Sequence, residues 1–68
     1  MYSIILKVDT DRYVTAVASL REAKYRLTKQ LRVNASGTAY GCSGVIVNSV
    51  GEEVGSGFCD ADGVPHVA

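Results

Sequence analysis

The chain holds one histidine and two cysteines, with no C-x-x-C and no pair of histidines. A structural zinc site needs four thiolate or imidazole ligands at close spacing. Cys42, Cys59 and His66 do not supply that set, so neither a resident metal nor a cofactor is expected. Long hydrophobic runs are missing as well. The opening MYSIILKV meets Lys7 and Asp9 after a few apolar residues, well short of a signal-peptide core or a membrane span. The expectation is a cytoplasmic chain without a membrane segment, its thiols reduced. Lysine and arginine are absent from residues 33–68, which carry Glu52, Glu53, Asp60 and Asp62.

The charge that is present is sorted. Arg12, Arg21, Lys24, Arg26, Lys29 and Arg32 lie between residues 12 and 32, against the single Glu22. The net charge is nevertheless zero, which argues against a protein whose main task is coating nucleic acid. Sixty-eight residues make one domain, 1–68, with no linker, repeat or low-complexity segment. A chain this short buries only about 60% of the surface its unfolded form exposes. Small domains lean on disulfides, metals or partner subunits, so self-association into a homodimer is expected here.

Periodicity divides the chain into five segments. Tyr2–Val8 alternates Tyr2, Ile4, Leu6 and Val8 with Ser3, Ile5 and Lys7, the period of a strand. Asp9 to Arg12 supplies turn residues, and Tyr13–Val17 is a second strand rich in aromatic and β-branched side chains. Ser19-Leu20-Arg21-Glu22 is a capping box, in which the serine hydroxyl accepts from the third N–H onward. The helix it starts runs to about Leu31 or Arg32, with Leu20, Ala23, Leu27 and Leu31 on one face. Asn34-Ala35-Ser36-Gly37 is expected to break it. A third strand is centred on Val45–Val47 and could begin as early as Thr38. Asn48-Ser49-Val50-Gly51 reads as a type I turn closed by a glycine bulge, and Glu53–Cys59 returns as a fourth strand. Pro65 restricts the tail to an edge or coil. The expected fold is α+β, strand-strand-helix-strand-strand, with one helix packed on a mostly antiparallel sheet of four strands. The other sheet face, around Ile5, Val14 and Ala16, is expected to stay partly open.

The stretch VGSGFCDADG, residues 54–63, carries the features that look most like a site. A phosphate cradle needs its glycine-rich turn to lead into a helix. Gly55 and Gly57 instead alternate with Val54, Ser56 and Phe58, and no helix follows. A calcium loop of EF-hand type takes twelve residues and ends in a bidentate glutamate. Eight residues follow Asp60, and none after Asp62 is acidic. Strand and turn are the expectation. The hairpin admits two registers. With Val47 opposite Val54, Cys42 faces Cys59 and a cross-strand disulfide is within geometric reach. With Asn48 opposite Glu52, Cys42 faces Phe58.

Catalytic chemistry finds little support. His66 has no nucleophile near it in sequence and sits in a tail expected to be mobile. The pairs Asp9/Asp11 and Asp60/Asp62 fall in turns, where aspartate bonds to nearby backbone. The chain is read as a non-enzyme. The most informative surface is the back of the helix, where Arg21, Tyr25, Lys29 and Arg32 cluster. Five of the seven basic residues lie on this helix, and Tyr and Arg are enriched at binding hot spots. The stripe is read as a partner-binding face. A small nucleic-acid-binding or regulatory protein using helix 19–32 is the alternative, since such a stripe also suits phosphates. A further option is a homo-oligomer in which basic helices meet acidic hairpins.

A hairpin, one capped helix and a glycine-rich second hairpin, with segments such as ASLREAKYRL and NSVGEEVGSG, resemble the small proteins of phages and mobile elements. Among these the chain looks like the compact anti-CRISPR and other anti-defence proteins. The resemblance rests on size and element order. It implies a non-catalytic inhibitor in the cytoplasm of a bacterial host cell, docking on a larger protein or ribonucleoprotein complex, with direct nucleic-acid binding weak or absent.

Overall fold

Alternation is realised directly in the N-terminal hairpin. Strand β1, Tyr2–Val8, pairs antiparallel with β2, Asp11–Val17. Asp9 turns the chain at φ 54°, in the left-handed region that aspartate tolerates better than most residues. Helix α1 spans Leu20–Asn34, two residues past the expected end. Strand β3 is Cys42–Val47, β4 is Glu53–Cys59 and β5 is Pro65–Val67. The computed structural model describes residues 1–35 and 41–68. The expected helix-breaking Ser36-Gly37 and the early strand start at Thr38 lie outside the described residues.

The expected α+β domain is therefore what the chain forms: one helix on an antiparallel sheet, in the order β2-β1-β3-β4-β5. The sheet has five strands rather than four. The tail expected at an edge or in coil becomes edge strand β5, pairing Gly57 with Val67, Phe58 with His66 and Cys59 with Pro65. Pro65 opens that strand at the sheet boundary, where a missing N–H is tolerated.

The helix lies over one sheet face. Ala23, Leu27 and Leu31 are fully buried against Ile4, Leu6, Val17, Cys42 and Ile46. Ser19 caps it as the capping box requires, its hydroxyl oxygen accepting from the Glu22 N–H at 3.2 Å. The close approach needs small residues below it. A Cβ on Gly44 would stand 2.6 Å from Leu27 Cδ1, and one on Gly57 would stand 3.0 Å from Leu31 Cδ1. The glycines of the third and fourth strands are thus the floor on which the helix rests.

Both hairpin registers occur, in different parts of the same hairpin. Next to the turn, Val47 pairs with Glu53 and the Asn48 N–H donates to the Glu52 carbonyl at 2.9 Å. A bulge at Val54 then shifts the pairing, so that Ile46 meets Gly55 and Ser43 meets Phe58. The shifted half brings Cys42 beside Cys59, with 3.3 Å between sulfurs, and both are free thiols. The turn is closed as expected, with the Gly51 N–H donating to the Asn48 carbonyl at 3.1 Å and Gly51 at φ 87°.

Candidate functional site

Residues 21, 25, 29 and 32 fall within about 80° of arc on an ideal helix. The structure places Arg21, Tyr25, Lys29 and Arg32 on that stripe, all exposed, on the side away from the buried Ala23, Leu27 and Leu31. Tyr25 is 61% exposed, and Lys29 Nζ sits 5.0 Å from its ring centroid. That is the geometry of a cation–π contact. It holds a flat ring and a charge side by side on the surface. Arg26 and Glu22 form an ion pair at 3.2 Å one position off the stripe. The helix's one carboxylate is thereby engaged with Arg26, a position outside the stripe of Arg21, Lys29 and Arg32.

The cysteines have a structural occupation. The Cys59 thiol donates to the Leu31 carbonyl at 3.1 Å, and the Cys42 thiol lies 3.6 Å from the same oxygen. Leu31 belongs to the last turn of α1, so both thiols lie against the C-terminal end of the helix. Burial, together with hydrogen bonding to Cys59, the Cys59 charge and that of Asp9, pushes the Cys42 thiol up to about 11. Such a group stays protonated and donating at neutral pH.

The turn after β4 uses its aspartate as expected, and also does something the sequence reading missed. Asp60 Oδ1 accepts from the N–H groups of Asp62 and Val64, each at 2.9 Å. Its other oxygen, Oδ2, lies 2.9 Å from His66 Nε2. The hydrogen bond to His66 is the main cause that holds the Asp60 carboxyl below its usual value, with the backbone N–H groups adding to it. His66 is therefore not in a mobile tail. It is held on β5, stacked on Phe58 with ring centroids 5.1 Å apart and planes 20° from parallel. The one advance signal was the six-residue spacing of Asp60 and His66 across a turn.

The open sheet face is the second surface the fold creates. Cross-strand pairing aligns Arg12, Lys7, Ser43, Phe58 and His66 in one row. The next row down holds Val14, Ile5, Val45 and Ser56. Val14 is 63% exposed and Phe58 53%, while Ile5 and Val45 are half-buried. Of the face expected to stay open, Ile5, Val14 and Ala16 all lie where periodicity put them.

Among the described residues no cluster of three or more His, Cys, Asp or Glu side chains could hold a metal ion. No helix among them is long and apolar enough to cross a membrane. No protein-family model matches the chain, and neither the curated proteins nor the solved structures contain a match to it.

Proposed function

We propose that the chain is a non-catalytic protein-binding module whose contact surface is the outer face of α1. The Tyr25–Lys29 pair carries this reading. It is an exposed aromatic ring with a cation against it, flanked by Arg21 and Arg32. Tyrosine and arginine contribute large contact area and directed hydrogen bonds, which is why they dominate binding hot spots. A partner for this stripe is acidic where it meets the helix. The resemblance to compact anti-CRISPR proteins narrows the class to a larger protein or ribonucleoprotein complex of a bacterial host, inhibited by occlusion.

The test is a binding assay on a partner captured with the tagged chain. The variant Arg21→Glu with Arg32→Glu is expected to remain folded and to lose that partner, because reversed charges repel an acidic surface. A folded double variant that binds normally would overturn the reading. A second reading, nucleic-acid binding by the same helix, is favoured by its density of cations and is separated by salt. Gripping Z phosphates gives a log affinity that falls with log salt at a slope of about −0.9Z on duplex DNA. Tight DNA or RNA binding that persists at physiological salt would select the second reading.

A further inference from the structure

The exposed row across the open sheet face is chemically lopsided, and its asymmetry is centred on the middle strand. On the β2/β1 side of β3 stand two cations, Arg12 and Lys7. On the β4/β5 side stand the stacked rings of Phe58 and His66, with the Asp60 carboxylate bonded to the imidazole. A two-fold axis running along β3, in the plane of a face-to-face contact, exchanges β1 with β4 and β2 with β5. It sets Lys7 of each copy over Phe58 of the other, and Arg12 over the His66–Asp60 pair. Cations meet aromatic rings and a carboxylate twice, with no like charges opposed within the row. The same axis stacks Val45 on Val45 of the second copy and lays half-buried Ile5 over its Ser56.

From this self-complementarity we infer that the open sheet face is a homodimer interface in which two copies pack sheet to sheet about a two-fold axis along β3. Aligned sheets cross at about 30° and lie about 10 Å apart. Near the interface centre that rotation displaces the row by about 5 Å, within the reach of lysine and arginine side chains. The resulting sandwich has the helices outermost and leaves both α1 stripes exposed. The inference therefore stands independently of the function proposed for the helix. A closed two-fold contact of this type is self-limiting.

Sedimentation equilibrium across the micromolar range is expected to show a dimer. Lys7→Glu in the otherwise unaltered chain is expected to raise its dissociation constant by about tenfold, since each dimer loses two cation–π contacts. Adding Phe58→Lys to Lys7→Glu is expected to restore association, because the new charges again meet as opposites. In a Cys42→Ser, Cys59→Ser background, Val45→Cys on the axis is expected to cross-link to itself with a short bis-maleimide, whose reach spans sheets about 10 Å apart. Val14→Cys, which this packing carries over to the β5 side of the partner, is expected not to. The charge-swap arm needs no cysteine replacement and stands even where that background fails to fold. A monomer at every concentration overturns the inference. So does self-cross-linking through Val14, which would mean edge pairing along β2, and so does single-stranded oligonucleotide binding by a monomer on the Phe58 and His66 rings.

Discussion

At residue scale, the polar atoms of Cys42, Cys59, Asp60 and His66 are engaged in holding chain segments together. Both thiols approach the Leu31 carbonyl in the last turn of α1 and tie β3 and β4 to the helix. Cys42 is buried and its thiol is pushed up to about 11, so only about a thousandth of it is thiolate at pH 8. Iodoacetamide is expected to label Cys59, which is less buried, and to reach Cys42 only in denaturant; mass spectrometry reads the two sites, and equal labelling of the native chain would contradict this. Asp60 makes a pH prediction. Its carboxyl titrates below the usual 3.8 because the folded state bonds the charged form to His66 and two N–H groups. A group depressed by folding stabilises the fold above its unfolded value, and that contribution is lost as pH falls through the folded value. Asp60→Asn is therefore expected to lower the melting temperature at pH 7, with the difference from wild type shrinking as acid protonates the wild-type carboxyl as well. Equal destabilisation at neutral and acid pH would assign the effect to side-chain geometry instead of charge.

At element scale the helix is held by its floor as much as by its own apolar face. Leu27 sits over Gly44, where a methyl group would meet Leu27 Cδ1 at 2.6 Å and the Ile5 carbonyl oxygen at 3.2 Å. Leu27 is fully buried, so its Cδ1 must shift within the core to admit the methyl. Gly44→Ala is expected to cost about 1–3 kcal/mol, the usual range for overpacking a tight core, measured by urea denaturation. An unchanged midpoint would mean that the helix can lift from the sheet without penalty. The helix itself was legible in the sequence. Its cap, its buried stripe of Ala23, Leu27 and Leu31 and its exposed stripe all follow from 3.6-residue periodicity, which needs no knowledge of other elements. Its close seating on glycine was not legible, because Gly44 and Gly57 reveal their purpose only once the helix is above them.

At the scale of the whole molecule, one helix covers one side of a five-stranded sheet with a thin core between them. A core of this size rarely supplies more than about 3–5 kcal/mol, and Leu→Ala at a buried site costs about 2–5 kcal/mol. Leu27→Ala is thus expected to leave the chain largely unfolded at 37 °C, as circular dichroism would show; a cooperative transition well above that temperature would mean the core is supported by more than these contacts, with subunit packing the first candidate. Arg21→Glu with Arg32→Glu, in contrast, is expected to shift stability by no more than about 0.5 kcal/mol, since both residues are exposed. The two variants separate folding from binding within the same helix.

The sequence by itself determined the helix and four of the five strands. Alternation marked β1 and β4 from end to end, the capping box started α1, and the Asn48–Gly51 turn closed the second hairpin, all through interactions a few residues long. Tertiary structure decided everything that depends on one element meeting another. The two registers of the β3–β4 hairpin were equally open in the sequence, and the chain uses both by inserting a bulge at Val54. That single shift moves Cys42 from Phe58 to Cys59 and puts both thiols under the Leu31 carbonyl. The tail became a strand because β4 offered a free edge, which lined His66 up with Phe58, Ser43, Lys7 and Arg12. Local periodicity tells which face a side chain occupies, but its neighbour across the sheet is set by register, and register is a property of the pair.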